Sequence, residues 1–296
     1  MNTAVARAEA SSISFLQQYV WSLRREFWEN RALYLAPAAA AALFLVGFAL
    51  HLPAYIRGFV QADPAKLHAK LAFPYDMGGG LAMLIAMVVS IFYMLDALYG
   101  ERHDRTILFW KSMPVSDGTT VLAKATVPIL ILPVLSFAIV FVMQVAMVIM
   151  TLMALAISGR DVAAYWQHLG FLRMSGLLLY HMVTGHALWY APLYGWLLLI
   201  SAWARRTPII WAFAPPIALC YLERIAFGTR YLLDWLMYRL MGGMEAVYAK
   251  GSMPMDLETH VTPGRFVLST GLWNGLIFTA ICLWLAAWLR RHRDPS

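Results

Sequence analysis

Charged residues make up only 13% of the 296 positions, and cysteine occurs twice. Both shortages exclude whole classes of protein. Cys220 and Cys282 fall inside apolar runs, so no pair is placed to form an extracellular disulfide. No lysine anywhere follows a glycine, which removes the GxxxxGK[ST] loop and with it a self-contained cradle for nucleotide phosphates. HExxH, GxSxG and CxxC are missing as well. A membrane barrel would need stretches of strict alternation about ten residues long, and none occurs. His181 and His186 stand five apart, about 140° on an α-helix, with no carboxylate between them to complete a metal site. They read as groove or helix-contact residues. Met143, Met147, Met150 and Met153 keep helical spacing and read as gap-filling core.

What the chain does have is apolar length: 61% of its residues are hydrophobic, well above the usual share in soluble domains. The long uncharged runs predict an all-α, polytopic membrane protein with six spans at 32–52, 77–98, 120–157, 174–204, 207–223 and 266–289. The third and fourth runs exceed the roughly 20 residues a crossing needs and are expected to continue into tilted or interfacial segments. The fifth carries Pro208, Pro215 and Pro216 and is expected to be distorted or sheltered by neighbours. Residues 14–30 set Phe15, Tyr19, Trp21 and Phe27 among Arg24, Arg25, Glu26 and Glu29, the pattern of a helix lying in the interface. The first thirty residues are too polar and too long for the n-region of a signal peptide, so no cleavage is expected. In the outer segment 224–265, the stretch 231–241 is apolar but interrupted by Asp234 and Arg239 and stopped by Gly242 and Gly243. It predicts a re-entrant or capping helical segment before the last span.

Basic residues set the orientation. With the N-terminus inside, the inner side receives Arg7, Arg24, Arg25, Arg31, Arg102, Arg105, Lys111, Lys124, Arg205, Arg206, Arg290, Arg291 and Arg293, which is 13 of the 23, in compact clusters beside helix ends. Five of the remaining ten belong to the long 224–265 segment, which also carries Asp234, Glu245, Asp256 and Glu258, with Glu223 just before it. The N-in, C-in arrangement of a multi-pass protein follows. The net charge of +7 is accounted for by loops facing anionic membrane lipids and calls for no nucleic acid.

The loop at 100–118 is the most informative. From Glu101 to Lys111 the pattern suits one short amphipathic helix, with Glu101 four residues before Arg105 as an intrahelical pair and Ile107, Leu108 and Trp110 as an apolar patch. Pro114 limits it, and Ser116-Asp117-Gly118 offers N-cap chemistry for the next span, whose inner end Lys124 can anchor. Such a helix, tethered at both ends to spans, is a lever for a partner or an element lying on the headgroups.

The run Glu101-Arg102 to Thr106, then Leu108-Phe109-Trp110-Lys111-Ser112-Met113-Pro114-Val115-Ser116 and Lys124, resembles the cytoplasmic-loop signature of ABC-2 type transporter permeases. The similarity extends to the polar N-terminal segment, the six-span order and the long fifth-to-sixth connection. It implies the membrane subunit of an ATP-driven exporter in a bacterial inner membrane. Such a subunit pairs with a second permease copy or a related permease and with separate cytoplasmic ABC ATPase subunits. The resemblance therefore implies no enzyme and no cofactor in this chain, with ATP and Mg in the partner. Carried onto matching positions, it implies that Glu101, Arg102, Arg105, Phe109, Trp110 and Lys111 couple to the ATPase through a loop helix seated in its cleft. A pathway lined by Trp, Tyr and Met would suit a peptide, lipid or amphipathic drug. The alternatives are a membrane-embedded enzyme using His and Asp near one interface, which lacks a recognisable nucleophile and base, or an ion-coupled secondary transporter. The latter calls for ionisable groups at mid-membrane, where the spans offer Gln144, His181 and His186 but no Asp or Glu.

Overall fold

The computed structural model describes residues 14–61, 63, 67–112, 115–242 and 263–292. The expectations for Arg7, Met113, Pro114, Gly243 and Arg293 lie outside these residues. Among the described residues the regular elements are all helical. Helix α1 (Phe15–Glu29) starts at a reciprocal cap: Gln17 donates its backbone N–H to the Ser14 hydroxyl, and the Gln17 side chain accepts from the Ser14 N–H. Its amphipathicity is inverted relative to that of a soluble protein. Leu16, Trp21 and Trp28 are exposed while Ser22 and Glu26 are buried, the arrangement of a helix whose outer face meets acyl chains.

Helices α2 (Ala32–Val60) and α3 (Leu67–Asp96) follow, then two short helices, α4 (Tyr99–His103) and α5 (Ile107–Lys111). Helix α6 (Asp117–Thr126) opens on Ser116, whose hydroxyl accepts from the Thr119 N–H at 3.0 Å as the turn chemistry predicts. It runs through a π-helical turn at Val127–Ile131 into α7 (Leu132–Ile157). Pro128 and Pro133 each lack a ladder donor there, and the wider turn absorbs the defect. Helix α8 (Val162–Leu169) is capped by Asp161 and passes into α9 (Phe171–His181) through Gly170, which takes the left-handed conformation this corner requires.

The uncharged run expected to form one span at 174–204 is divided. It continues from α9 into a π-helical segment, Met182–Trp189, bends at Tyr190, and resumes as α10 (Ala191–Trp203), whose first turn holds Pro192. Then come α11 (Pro208–Phe227) and α12 (Tyr231–Met237) with a π turn at Tyr238–Gly242, followed by α13 (Pro263–Leu268) and α14 (Thr270–His292). Among the described residues five helices are long and apolar enough to cross a membrane: Ala32–Phe59, Leu67–His103, Asp117–Ile157, Pro208–Phe227 and Thr270–His292, with Ala191–Trp203 as a shorter apolar helix. These features are consistent with a multi-pass membrane protein.

Among the described residues the apolar core falls into three clusters. One packs Phe48, Tyr75, Met147, Tyr165 and Met174; a second packs Leu33, Met94, Leu132, Tyr194 and Leu198; a small third gathers Trp189, Phe266 and Leu272. Met143 and Met147 lie in the first and Met150 packs against it, whereas Met153, also expected in the core, is exposed. The close contact of α10 with α14 depends on Gly195, where an added Cβ would meet the Thr279 Cα at 3.2 Å. At the far end, α12 and its π turn fold back onto the bundle. Arg239 stacks over Trp189 at 4.6 Å and donates to the Gly271 carbonyl, while Trp189 and Tyr190 donate to the carbonyls of Arg239 and Leu240.

Candidate functional site

The loop between α3 and α6 does not form the single helix expected over Glu101 to Lys111. It breaks at Asp104–Thr106, where Arg105 adopts φ 57°, a conformation costly for a residue with a Cβ. The intrahelical pair of Glu101 with Arg105 is therefore not made. Glu101 instead turns inward and is 8% exposed.

What Glu101 meets is a buried ionic cluster assembled from four separate parts of the chain. Its Oε1 accepts from Arg25 Nη2 at 2.8 Å and lies 3.1 Å from Lys124 Nζ, while its Oε2 accepts from Arg290. Glu26 Oε1 accepts from the same Arg25, at 2.7 Å, and the same Lys124, at 2.8 Å; its Oε2 accepts from the Tyr93 hydroxyl at 2.8 Å. Arg290 Nε then donates to Asp117 Oδ1 at 2.9 Å. Helices α1, α4, α6 and α14 are thus joined at one point. Arg25, Lys124 and Arg290 are paired with Glu26, Glu101 and Asp117, and Arg25 also reaches the exposed Glu29 at 3.4 Å. Pairing is what makes the cluster tolerable, since an unpaired ion at this depth would cost several kcal/mol. Burial pushes the Glu26 carboxyl up, but Lys124 and Arg25 outweigh it and hold the group below its ordinary value.

The other loop residues separate into two sets. Arg102 donates to the carbonyls of Ser201 at 2.5 Å and Ala204 at 2.9 Å, and so closes the open C-terminal end of α10. In return, the Ser201 hydroxyl accepts from the N–H groups of Leu98 and Tyr99. Trp110 is half-buried, with the Arg25 guanidinium 4.1 Å above its ring. Arg105, Leu108, Phe109 and Lys111 are exposed, Leu108 at 58% and Phe109 at 61%. Ile107, expected in the exposed patch, is buried. Of the six residues carried over from the family, Glu101, Arg102 and Trp110 are engaged inside the chain, and Arg105, Phe109 and Lys111 face outward.

Sequence reasoning passed over Arg25, Glu26, Tyr93, Asp117 and Arg290 as members of a site. A signal existed: nearly all the charges of the cluster sit beside helix ends assigned to the same side of the membrane. Pairing across as many as 189 positions leaves no local trace, however. His181 and His186 are both buried and make different contacts, with the Leu177 carbonyl and the Tyr194 hydroxyl respectively.

Mechanically, the cluster is a joint. It ties the α4–α5 loop to α1, α6 and α14 through charge-assisted bonds, which are strong and directional. A scan against protein-family models and a search of curated proteins return no match for this chain.

Proposed function

We propose that the chain is the membrane subunit of an ATP-driven exporter of the ABC-2 permease type. In this reading it works as a pair with a second copy or a related permease and is driven by separate cytoplasmic ATPase subunits that carry ATP and Mg. The reading is carried by one observation. An exposed apolar step, Leu108 and Phe109, stands between the cations Arg105 and Lys111 on a loop whose base is fixed into the ionic joint. A surface aromatic flanked by charge and backed by a rigid platform is what a docking element needs. A helix resting on headgroups has no use for a buried link to α14.

Six crossings are part of the proposal, with the composite of α9, the π-helical segment and α10 as the fourth. The loop cluster then faces the cytoplasm of a bacterial cell, N-in and C-in. The outward set Arg105, Phe109 and Lys111 contacts the ATPase, and Glu101, Arg102 and Trp110 carry the force inward.

The test is recovery of a co-expressed ABC ATPase by detergent-solubilised permease, wild type against Phe109→Ala with Lys111→Glu. A docked aromatic costs about 2 kcal/mol or more on truncation, roughly a 30-fold loss of affinity, so the variant should recover little ATPase while eluting as wild type does. Equal recovery with unchanged transport would refute the coupling role.

A further inference from the structure

At the same end of the bundle as the ionic joint, the chain turns from α10 into α11 through Ala204-Arg205-Arg206-Thr207. Thr207 is forced to φ 45°, an outlier for a β-branched residue and a mark of a corner held by its surroundings. Arg102 fixes the near side of this corner by binding the Ser201 and Ala204 carbonyls. The corner opens onto a cleft of about 660 Å³ lined by Trp203, Arg205, Arg206 and Trp211. The two indoles meet edge to face at 5.1 Å and 87°. Arg205 and Arg206 are both exposed, and neither makes an ion pair or hydrogen bond with another described residue. The joint nearby pairs each of its guanidinium groups with carboxylates; this pair meets none among the described residues. Beyond the cleft, α11 turns Ile209, Ile210 and Phe213 outward, a wall with no polar group to offer.

We propose that this cleft is a binding site for the phosphodiester headgroup of an anionic phospholipid. Two guanidinium groups lining one cleft match a phosphate better than two ammonium groups would, because each presents a planar fork of donors. Tryptophan pairs belong at headgroup depth, where the ring is in apolar surroundings and its N–H reaches water. The apolar wall of α11 gives the acyl chains a surface to follow. Charge, aromatic rings and apolar side chains are thus the groups that a lipid's own parts would meet. The site goes beyond the exporter reading and does not depend on it, since it needs only the bilayer.

The experiment is native mass spectrometry of the full-length protein released from nanodiscs of mixed phosphatidylglycerol and phosphatidylcholine. Wild type should retain phosphatidylglycerol in preference, and Arg205→Gln with Arg206→Gln should lower that retention by about 30-fold, the effect expected of two interfacial cations. Arg205→Lys with Arg206→Lys, which keeps the charge but not the fork, should fall between. Addition of inorganic phosphate at millimolar concentration separates the sources. Persistence of the bound lipid supports the headgroup site, whereas its full displacement would reassign the cleft to a soluble phosphate and overturn the proposal. Absence of any preference in the wild-type protein overturns it without reference to a variant, as does equal retention by the folded glutamine variant.

Discussion

Replacing Glu101 by glutamine is the sharpest perturbation of the ionic joint. The side chain keeps its shape, so no cavity opens, and only its charge is lost. Arg25, Lys124 and Arg290 then lose the one carboxylate that touches all three, keeping Glu26, Asp117 and the exposed Glu29, and the new amide group points a donor at groups that are donors themselves. Removing one member of a buried pair costs about 3–5 kcal/mol, because the partner stays buried and uncompensated. For a chain of this size that amounts to a fall of roughly 10 °C in the unfolding midpoint. The measurement is thermal stability of the detergent-solubilised protein, together with hydrogen exchange over residues 15–29, which should speed up as α1 loses its anchor. Arg290→Met in the Glu101→Gln background removes one of the cations left without that carboxylate; it leaves Asp117, whose side chain is 26% exposed, to be solvated by water. The double variant should therefore be more stable than the sum of the singles, with a coupling of about 1–3 kcal/mol. A single variant that melts with wild type and exchanges no faster would show that the cluster is not a joint. Strict additivity would show that Glu101 and Arg290 do not act on each other.

Acid should undo the same contact. The Glu26 carboxyl is held below 4.5, so its contribution is fully present above that value and is lost as pH falls through the lower folded value; protection of α1 against exchange, corrected for the intrinsic rate, should hold above 4.5 and fall as pH drops through that lower value. Topology is checked by reporter fusions: those after Gln61 and Arg160 should register as external and one after His292 as internal, and an external C-terminal fusion would refute the orientation proposed from the basic clusters.

Why some of this was legible in the sequence and some was not follows from the range of the interactions involved. Apolar length is a property of consecutive residues, so the all-α plan and the helices Ala32–Phe59 and Thr270–His292 could be read directly. The Ser116 cap was legible for the same reason, since donor and acceptor lie three positions apart. The run at 174–204 was read as one span because hydropathy responds to charge, and the run contains no Asp, Glu, Lys or Arg. The break at Tyr190 is marked only by Pro192, two residues later. The loop failed differently. Glu101 and Arg105 have the spacing of a helical pair, and that local preference is worth only about 0.2–0.5 kcal/mol. It competes with three cations brought in by α1, α6 and α14, each within hydrogen-bonding reach of the same carboxylate. The tertiary contacts win by a wide margin, and the left-handed turn at Arg105 accompanies the inward rotation of Glu101.

The division of the loop into an inward and an outward half also bears on how the proposed coupling would work. A helix resting freely on the bundle could absorb a push from a partner by sliding. Here Arg102 is tied to the end of α10, Trp110 to Arg25 on α1, and Glu101 to α6 and α14. Displacement of Phe109 by even a fraction of its own width must therefore strain bonds to four helices at once. Rigid linkage of this kind transmits a shift because packed and charge-paired contacts deform little before they break. Phe109 and the ionic joint are thus two ends of one element. Substitutions at the exposed end should alter association with the partner and leave the unfolding midpoint in place, whereas those at the buried end should lower the midpoint and loosen α1 whether or not a partner is present.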